Sequence, residues 1–144
     1  MSGMQRVTFP VASHVFFVRE GAVLLMRRVG TGFEDGNYSL PSGHLEEGES
    51  PREAASRECR EEVCLELTPD DLEFSGVAHY HSPLGDGVDF FFRAMRWDGE
   101  ASACDECDEV RWFPLGALPQ NTIPFVRRAI EWFLRAGQWF DEQA

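Results

Sequence analysis

The chain contains no lysine. All 13 of its basic residues are arginine, they face 25 acidic ones, and the formal net charge is −12. So little positive charge argues against a nucleic-acid polymer or an anionic membrane as partner, because both are held by a basic footprint. Any phosphate met by a basic side chain must meet a guanidinium fork, which suits bidentate recognition. No run approaches the roughly 18 apolar residues that span a bilayer. The N-terminal MSGMQRVTFP lacks an apolar secretory core, so a cytoplasmic location is expected. Cysteine is sparse: Cys59, Cys64, Cys104 and Cys107. Cys104-x-x-Cys107 resembles half a zinc site or a redox pair. Cys59 and Cys64 diverge on a helix and make a poor partner pair for it. In a cytosolic chain all four are expected as reduced, structural thiols.

What is present points to one globular domain of 144 residues, 43% hydrophobic, with 12 Phe and 4 Trp. The stretch Gly43 to Leu65, GHLEEGESPREAASRECREEVCL, organises the rest. It opens as a polar loop. Ser50 is an N-cap, Pro51 the first helical residue, and Glu53 completes a capping box. Glu58, Glu61 and Glu62 then stand at i, i+3 and i+4 on one helical face. Three carboxylates so placed repel one another unless a cation sits between them, and a hard divalent ion such as Mg²⁺ wants oxygens of this kind. Such an ion also removes the objection that an acidic protein repels a phosphorylated substrate. The competing reading is a solvated acidic face, neutralised by Arg57 and Arg60.

These residues resemble the signature of the Nudix hydrolase family, G-x5-E-x7-R-E-U-x-E-E-x-G-U, with U a bulky apolar residue. Gly43, Glu49, Arg57, Glu58, Glu61, Glu62 and Leu65 fall on it, and Cys59 takes the first apolar position. Cys64 departs from it, standing where the pattern has the glycine that closes the helix in a left-handed conformation. The resemblance implies metal binding by Glu58, Glu61 and Glu62, with Mg²⁺ as the ion and Mn²⁺ as a substitute. It gives Glu58, Glu61 or a loop acid the activation of water. It makes Arg57 and Glu49 an internal ion pair that orients the loop around Gly43. In some relatives the carbonyl before the box glycine also binds metal, here that of Ser42. MutT-like relatives contact substrate through the second arginine of a strand-end pair, here Arg28 rather than Arg27. They carry a loop glutamate six residues before a tryptophan, here Glu106 before Trp112, that binds metal or acts as base; an exposed loop acid is the bland alternative.

Elsewhere, Val7 to Arg19 and Ala22 to Arg28 read as a hairpin around Glu20-Gly21, after a loose tail at 1–7. Val29 to Pro41 is a glycine-bearing loop of the kind that carries specificity. Leu72 to Ser82 is a strand. Its His79 and His81 share a face, with no carboxylate neighbour visible to tune them. Val88 to Trp97, with Phe90, Phe91 and Phe92, reads as a strand buried on both sides. Val110 to Pro114 is a last strand. Thr122 is an N-cap for a helix whose Phe125, Val126, Ala129, Ile130 and Phe133 bury one face. That helix is expected to pack opposite the helix of the box.

The order predicts an α/β/α sandwich with a mixed sheet between helices, which is also the Nudix fold; the resemblance spans about residues 8–135. The resemblance implies a hydrolase that splits the diphosphate bridge of a nucleoside diphosphate linked to another group. Arg111 to Pro119 resembles MutT-like nucleoside triphosphatases, which favours a nucleoside triphosphate, canonical or oxidised, over ADP-ribose or another nucleotide sugar. The 29–41 loop and the strand around His79 to His81 are the expected readers of the base. A non-catalytic, nucleotide-binding Nudix-like domain is the reading from another class; loss of a box glutamate would mark it. The aromatic surplus leaves room for a homodimer interface.

Overall fold

Both faces of the central strands are apolar, so both need a cover. The computed structural model describes residues 5–143. Of the expected tail, 1–4 lie outside the described residues, and 5–7 are exposed without regular structure. The strands are β1 (Val11–Phe16), β2 (Val18–Arg19), β3 (Ala22–Arg28), β4 (Tyr38–Ser39), β5 (Ser42–His44), β6 (Leu72–Tyr80), β7 (Gly87–Ala94), β8 (Cys107–Pro114) and β9 (Phe140–Glu142). The helices are α1 (Pro51–Val63) and α2 (Pro124–Ala129), the latter continued by π-helical turns over Ile130–Arg135.

Alternation sends Val15, Phe17, Leu24, Met26 and Phe92 to one core, where α1 adds Ala55, Cys59 and Val63. It sends Phe16, Val23, Leu25 and Phe91 to the other, where Val126, Ala129, Ile130 and Phe133 cover them. The two helices therefore lie on opposite faces, and the α/β/α sandwich is as expected.

The strands divide between two sheets. One runs β5-β1-β7-β6-β9, with β1 parallel to β7 and β6 parallel to β9. In the other, β3 pairs antiparallel with β2, β4 and β8. This corrects the expected long hairpin. The chain changes sheets at Phe17, and only Val18 and Arg19 fold back on β3, through the left-handed turn at Glu20 (φ 52°) and Gly21 (φ 74°). Phe16 and Phe17 are both fully buried, in opposite cores, which a single two-strand ribbon does not provide.

Thr122 does not cap α2. Its hydroxyl donates to the Pro119 carbonyl (2.7 Å), and Ile123 occupies the cap position. The helix start is held instead by β4, with Tyr38 N–H donating to the Asn121 carbonyl and Ile123 N–H to the Tyr38 carbonyl. β8 begins three residues before the expected Val110, at Cys107, and β9 is a strand that no pattern announced. Arg128 fixes β9 to α2 by a bidentate pair with buried Asp141 (2.6 and 2.7 Å).

Candidate active site

Helix α1 begins as its sequence requires. Glu53 N–H donates to the Ser50 hydroxyl (3.1 Å), and Ser50 N–H donates to the Glu53 carboxylate (2.9 Å). Its last carbonyls find donors in the 101–107 loop: Ser102, Cys104 and Asp105 N–H donate to Val63, Glu62 and Glu61. A helix end buried without such partners would leave those carbonyls orphaned. Cys64 takes the left-handed conformation (φ 60°) that the family pattern gives to glycine. That turn aims its side chain at the same loop, where Cys64 and Cys104 form a disulfide with Cα atoms 6.2 Å apart. The expectation of four reduced thiols is corrected for these two. Cys59 and Cys107 are free and buried. The spacing Cys104-x-x-Cys107 concealed the pairing, because the partner comes from the helix end and not from the motif.

Arg57 organises the acid face. Its Nε and Nη2 donate to both Glu49 oxygens (2.7 and 2.9 Å), and Nη1 donates to Glu58 (2.7 Å) and Glu61 (3.2 Å). Nη2 also donates to the His44 carbonyl (3.1 Å). The Arg57 fork holds the Glu49 carboxyl below its ordinary range, and Arg57 itself is raised by its carboxylate partners. Glu46 is largely exposed but reaches Arg57 at 3.3 Å. Gly43 passes so close to Glu58 that a Cβ there would collide with the carboxyl group.

Glu62 is 3% exposed, and Ser42 N–H donates to it (2.8 Å). Burial pushes its carboxyl up to about 9 against that hydrogen bond, and the charges of Glu58 and Glu106 add to the rise. Glu58 is raised mainly by burial, with Arg57 opposing. A buried acid crowded by like charge is short of positive partners. The oxygen-rich, negative cluster thus fits a hard divalent cation.

β5 is an edge strand, and its hydrogen-bonded pairings with β1 alternate. Val15 N–H donates to the Pro41 carbonyl and Leu45 N–H to the Val11 carbonyl, while Ser42 stands opposite His14 between them. The N–H and carbonyl of Ser42 therefore both point away from β1. Its N–H already reaches Glu62, so the carbonyl borders the same space.

Glu58, Glu61, Glu62, Ser42, Arg28 and Glu106 all line one cavity of about 1200 Å³. Arg27 leaves the other way, in a bidentate pair with Asp108 (2.9 and 3.2 Å). Arg28 donates through Nε to the Phe33 carbonyl (2.8 Å), and its guanidinium lies 5.5 Å from the Phe33 ring centre. Glu106 is held by a left-handed backbone (φ 61°) and by Val29 N–H, which donates to its carbonyl (3.0 Å). These six residues thus share one cavity, whereas Glu49 and His79 are not part of its lining.

Several lining residues were not foreseen. Buried His14 stacks on Phe91 (4.6 Å) beside Asp89 (3.1 Å). Asp105 enters with the loop strapped to α1. Asp86 sits against His81, correcting the expectation that the two histidines have no carboxylate neighbour. No spacing marked these residues; only continuing the β6–β7 register across the turn would have placed Asp86 opposite His81.

Comparison with known proteins agrees with this geometry. A profile of the NUDIX domain matches residues 8–133. An RNA pyrophosphohydrolase of Rhizobium meliloti is 32% identical over 78% of this chain and 83% of its own length. The NAD-capped RNA hydrolase NudC of Pseudomonas aeruginosa is 34% identical over 74% of this chain, which spans only 37% of that protein. The crystal structure of a MutT NUDIX hydrolase from Burkholderia pseudomallei superposes with a TM-score of 0.77 at 27% identity, covering 87% of this chain and 98% of that one. A domain match over most of the chain, with the acids of the box gathered in one cavity, makes this protein a member of the Nudix hydrolase family, acting on phosphoanhydride bonds.

Proposed function

We propose that the substrate is a nucleoside triphosphate, canonical or oxidised, cleaved with Mg²⁺ to the monophosphate and pyrophosphate. The observation that carries this reading is the entry of Arg28 into the same cavity as Glu58, Glu61 and Glu62. A guanidinium facing a metal-ready acid cluster suits a polyphosphate, whose oxygens need both kinds of partner. Glu58, Glu61, Glu62 and the Ser42 carbonyl would hold a divalent ion, which would supply charge neutralisation for the phosphates and a more acidic water.

The remaining work falls to the chain's own groups. Glu58, steered by Arg57 and raised by burial, takes the proton of the attacking water, with Glu61 beside it. Glu49 and Arg57 hold the box loop against α1 and do not touch substrate. Arg28 grips the phosphates, Glu106 lines the same cavity as a further acid, and the 29–41 loop meets the base. The 5′-triphosphate end of an RNA offers the same phosphates, and the similarity to an RNA pyrophosphohydrolase favours it as the second reading.

The test is product analysis over nucleoside triphosphates, ADP-ribose and a 5′-triphosphorylated RNA, with Mg²⁺ and with chelator. The expected result is Mg²⁺-dependent pyrophosphate release from triphosphates, reduced on the order of 10²-fold in Glu62→Gln. Unchanged turnover in Glu62→Gln, or turnover confined to ADP-ribose, would sink the assignment.

A further inference from the structure

We propose that His79, His81 and Asp86 form a second metal site, for a divalent ion of the Zn²⁺ class, distinct from the glutamate cluster on α1. The proposal does not rest on the triphosphate reading. The strand pairing places these residues together. His79 pairs with Val88 and Tyr80 with Gly87, so one more step of the same register sets His81 opposite Asp86. Side chains two apart on a strand share a face, which brings His79 beside them.

One donor atom from each of the three residues lies within 4.8 Å of the other two. His81 Nδ1 is 2.5 Å from Asp86 Oδ1, and His79 Nε2 is 3.7 Å from Asp86 Oδ2. With zinc–nitrogen bonds of about 2.0–2.1 Å, neighbouring ligands of a tetrahedral ion are about 3.3 Å apart. The cluster therefore needs only a small adjustment to close on one ion. His79 Nε2 is buried without a hydrogen-bond partner, an acceptor or donor left in want of one.

The frame is already set. The His79 ring packs on Phe9 (5.3 Å) and on His81 (5.1 Å). The turn between the strands is closed by reciprocal hydrogen bonds between Ser82 and Gly85. Two imidazoles and one carboxylate suit Zn²⁺, Co²⁺ or Ni²⁺, whereas Mg²⁺ prefers an all-oxygen set. His81 and Asp86 also line the cavity that contains Glu58, Glu61 and Glu62.

The test titrates Zn²⁺, and Co²⁺ as its coloured substitute, into the full chain with excess Mg²⁺ present. The expected result is one equivalent bound, with the imidazole nitrogen resonances of His79 and His81 shifted and those of His14 and His44 unmoved. His81→Ala and Asp86→Asn are expected to weaken binding at least about 10²-fold. The double variant Glu58→Gln/Glu62→Gln is expected to keep it, which separates this site from the hydrolytic one. His81 is exposed, so its variant carries the test even where His79→Ala loosens the strand. Binding that survives in both His81→Ala and Asp86→Asn, or that disappears with the glutamates, would overturn the proposal.

Discussion

Where Gly43 meets Glu58, a single hydrogen atom decides whether the acid cluster assembles. The collision awaiting a Cβ there involves the carboxyl group itself, which is pinned on its other side by Arg57. Gly43→Ala is expected to destabilise the fold by about 1–3 kcal/mol, the usual cost of overpacking. Activity should fall by more than that loss explains, because Glu58 must turn away from its neighbours. Urea denaturation set beside Mg²⁺ titrations of turnover measures both, and an unaltered Mg²⁺ dependence would refute the account. The box spacing marked Glu58, Glu61 and Glu62 through helical periodicity, and the same stretch named Gly43. His14, Asp105 and Asp86 carried no such mark, since their nearness to the cavity comes from strand pairing and from a loop.

At the next scale, the end of α1 and the 101–107 loop form one unit, joined by three backbone hydrogen bonds and by Cys64–Cys104. The crosslink closes a separation of 40 residues, for which about 2–4 kcal/mol of stabilisation is typical. Cys104→Ser is therefore expected to melt earlier than the parent chain. Reductant should lower the parent to the variant's midpoint and leave the variant unmoved; equal midpoints without reductant would contradict the link.

The β9 strand depends on another tie, Arg128 to Asp141, in which the carboxyl is 4% exposed. The Arg128 fork holds the Asp141 carboxyl below its ordinary range, and Gln143 helps. A carboxylate lowered in the folded state adds stability above its unfolded value, near pH 4, and loses it as pH falls through the lowered value. Asp141→Asn should cost about 1–2 kcal/mol at neutral pH. The difference from the parent should vanish in acid, and a difference constant down to pH 2 would be inconsistent with the pairing.

For the molecule as a whole, the charge of −12 bears on which form of the proposed triphosphate substrate is approached most easily. An RNA brings many phosphates to an acidic surface, whereas a free nucleotide brings only those that the cavity neutralises. The expected outcome is a higher kcat/KM for a nucleoside triphosphate than for a 5′-triphosphorylated RNA with the same first base. That gap should narrow as salt screens the repulsion. A preference for RNA that holds at low ionic strength would reverse the order of the two readings. No helix of the described chain is long and apolar enough to cross a membrane.

Local chemistry, written in residue order, determined a great deal. Capping residues set where α1 starts, the 3.6-residue period put three acids on one face, and apolar runs announced strands covered on both sides. Those are properties of neighbours in the chain, and a linear pattern records them. The tertiary structure alone decided the crossing between sheets at Phe17, the pairing of Cys64 with Cys104, the strand at β9 and the meeting of His79 and His81 with Asp86. Each depends on which distant segments pack together, and that choice is made by the fit of whole elements around two cores.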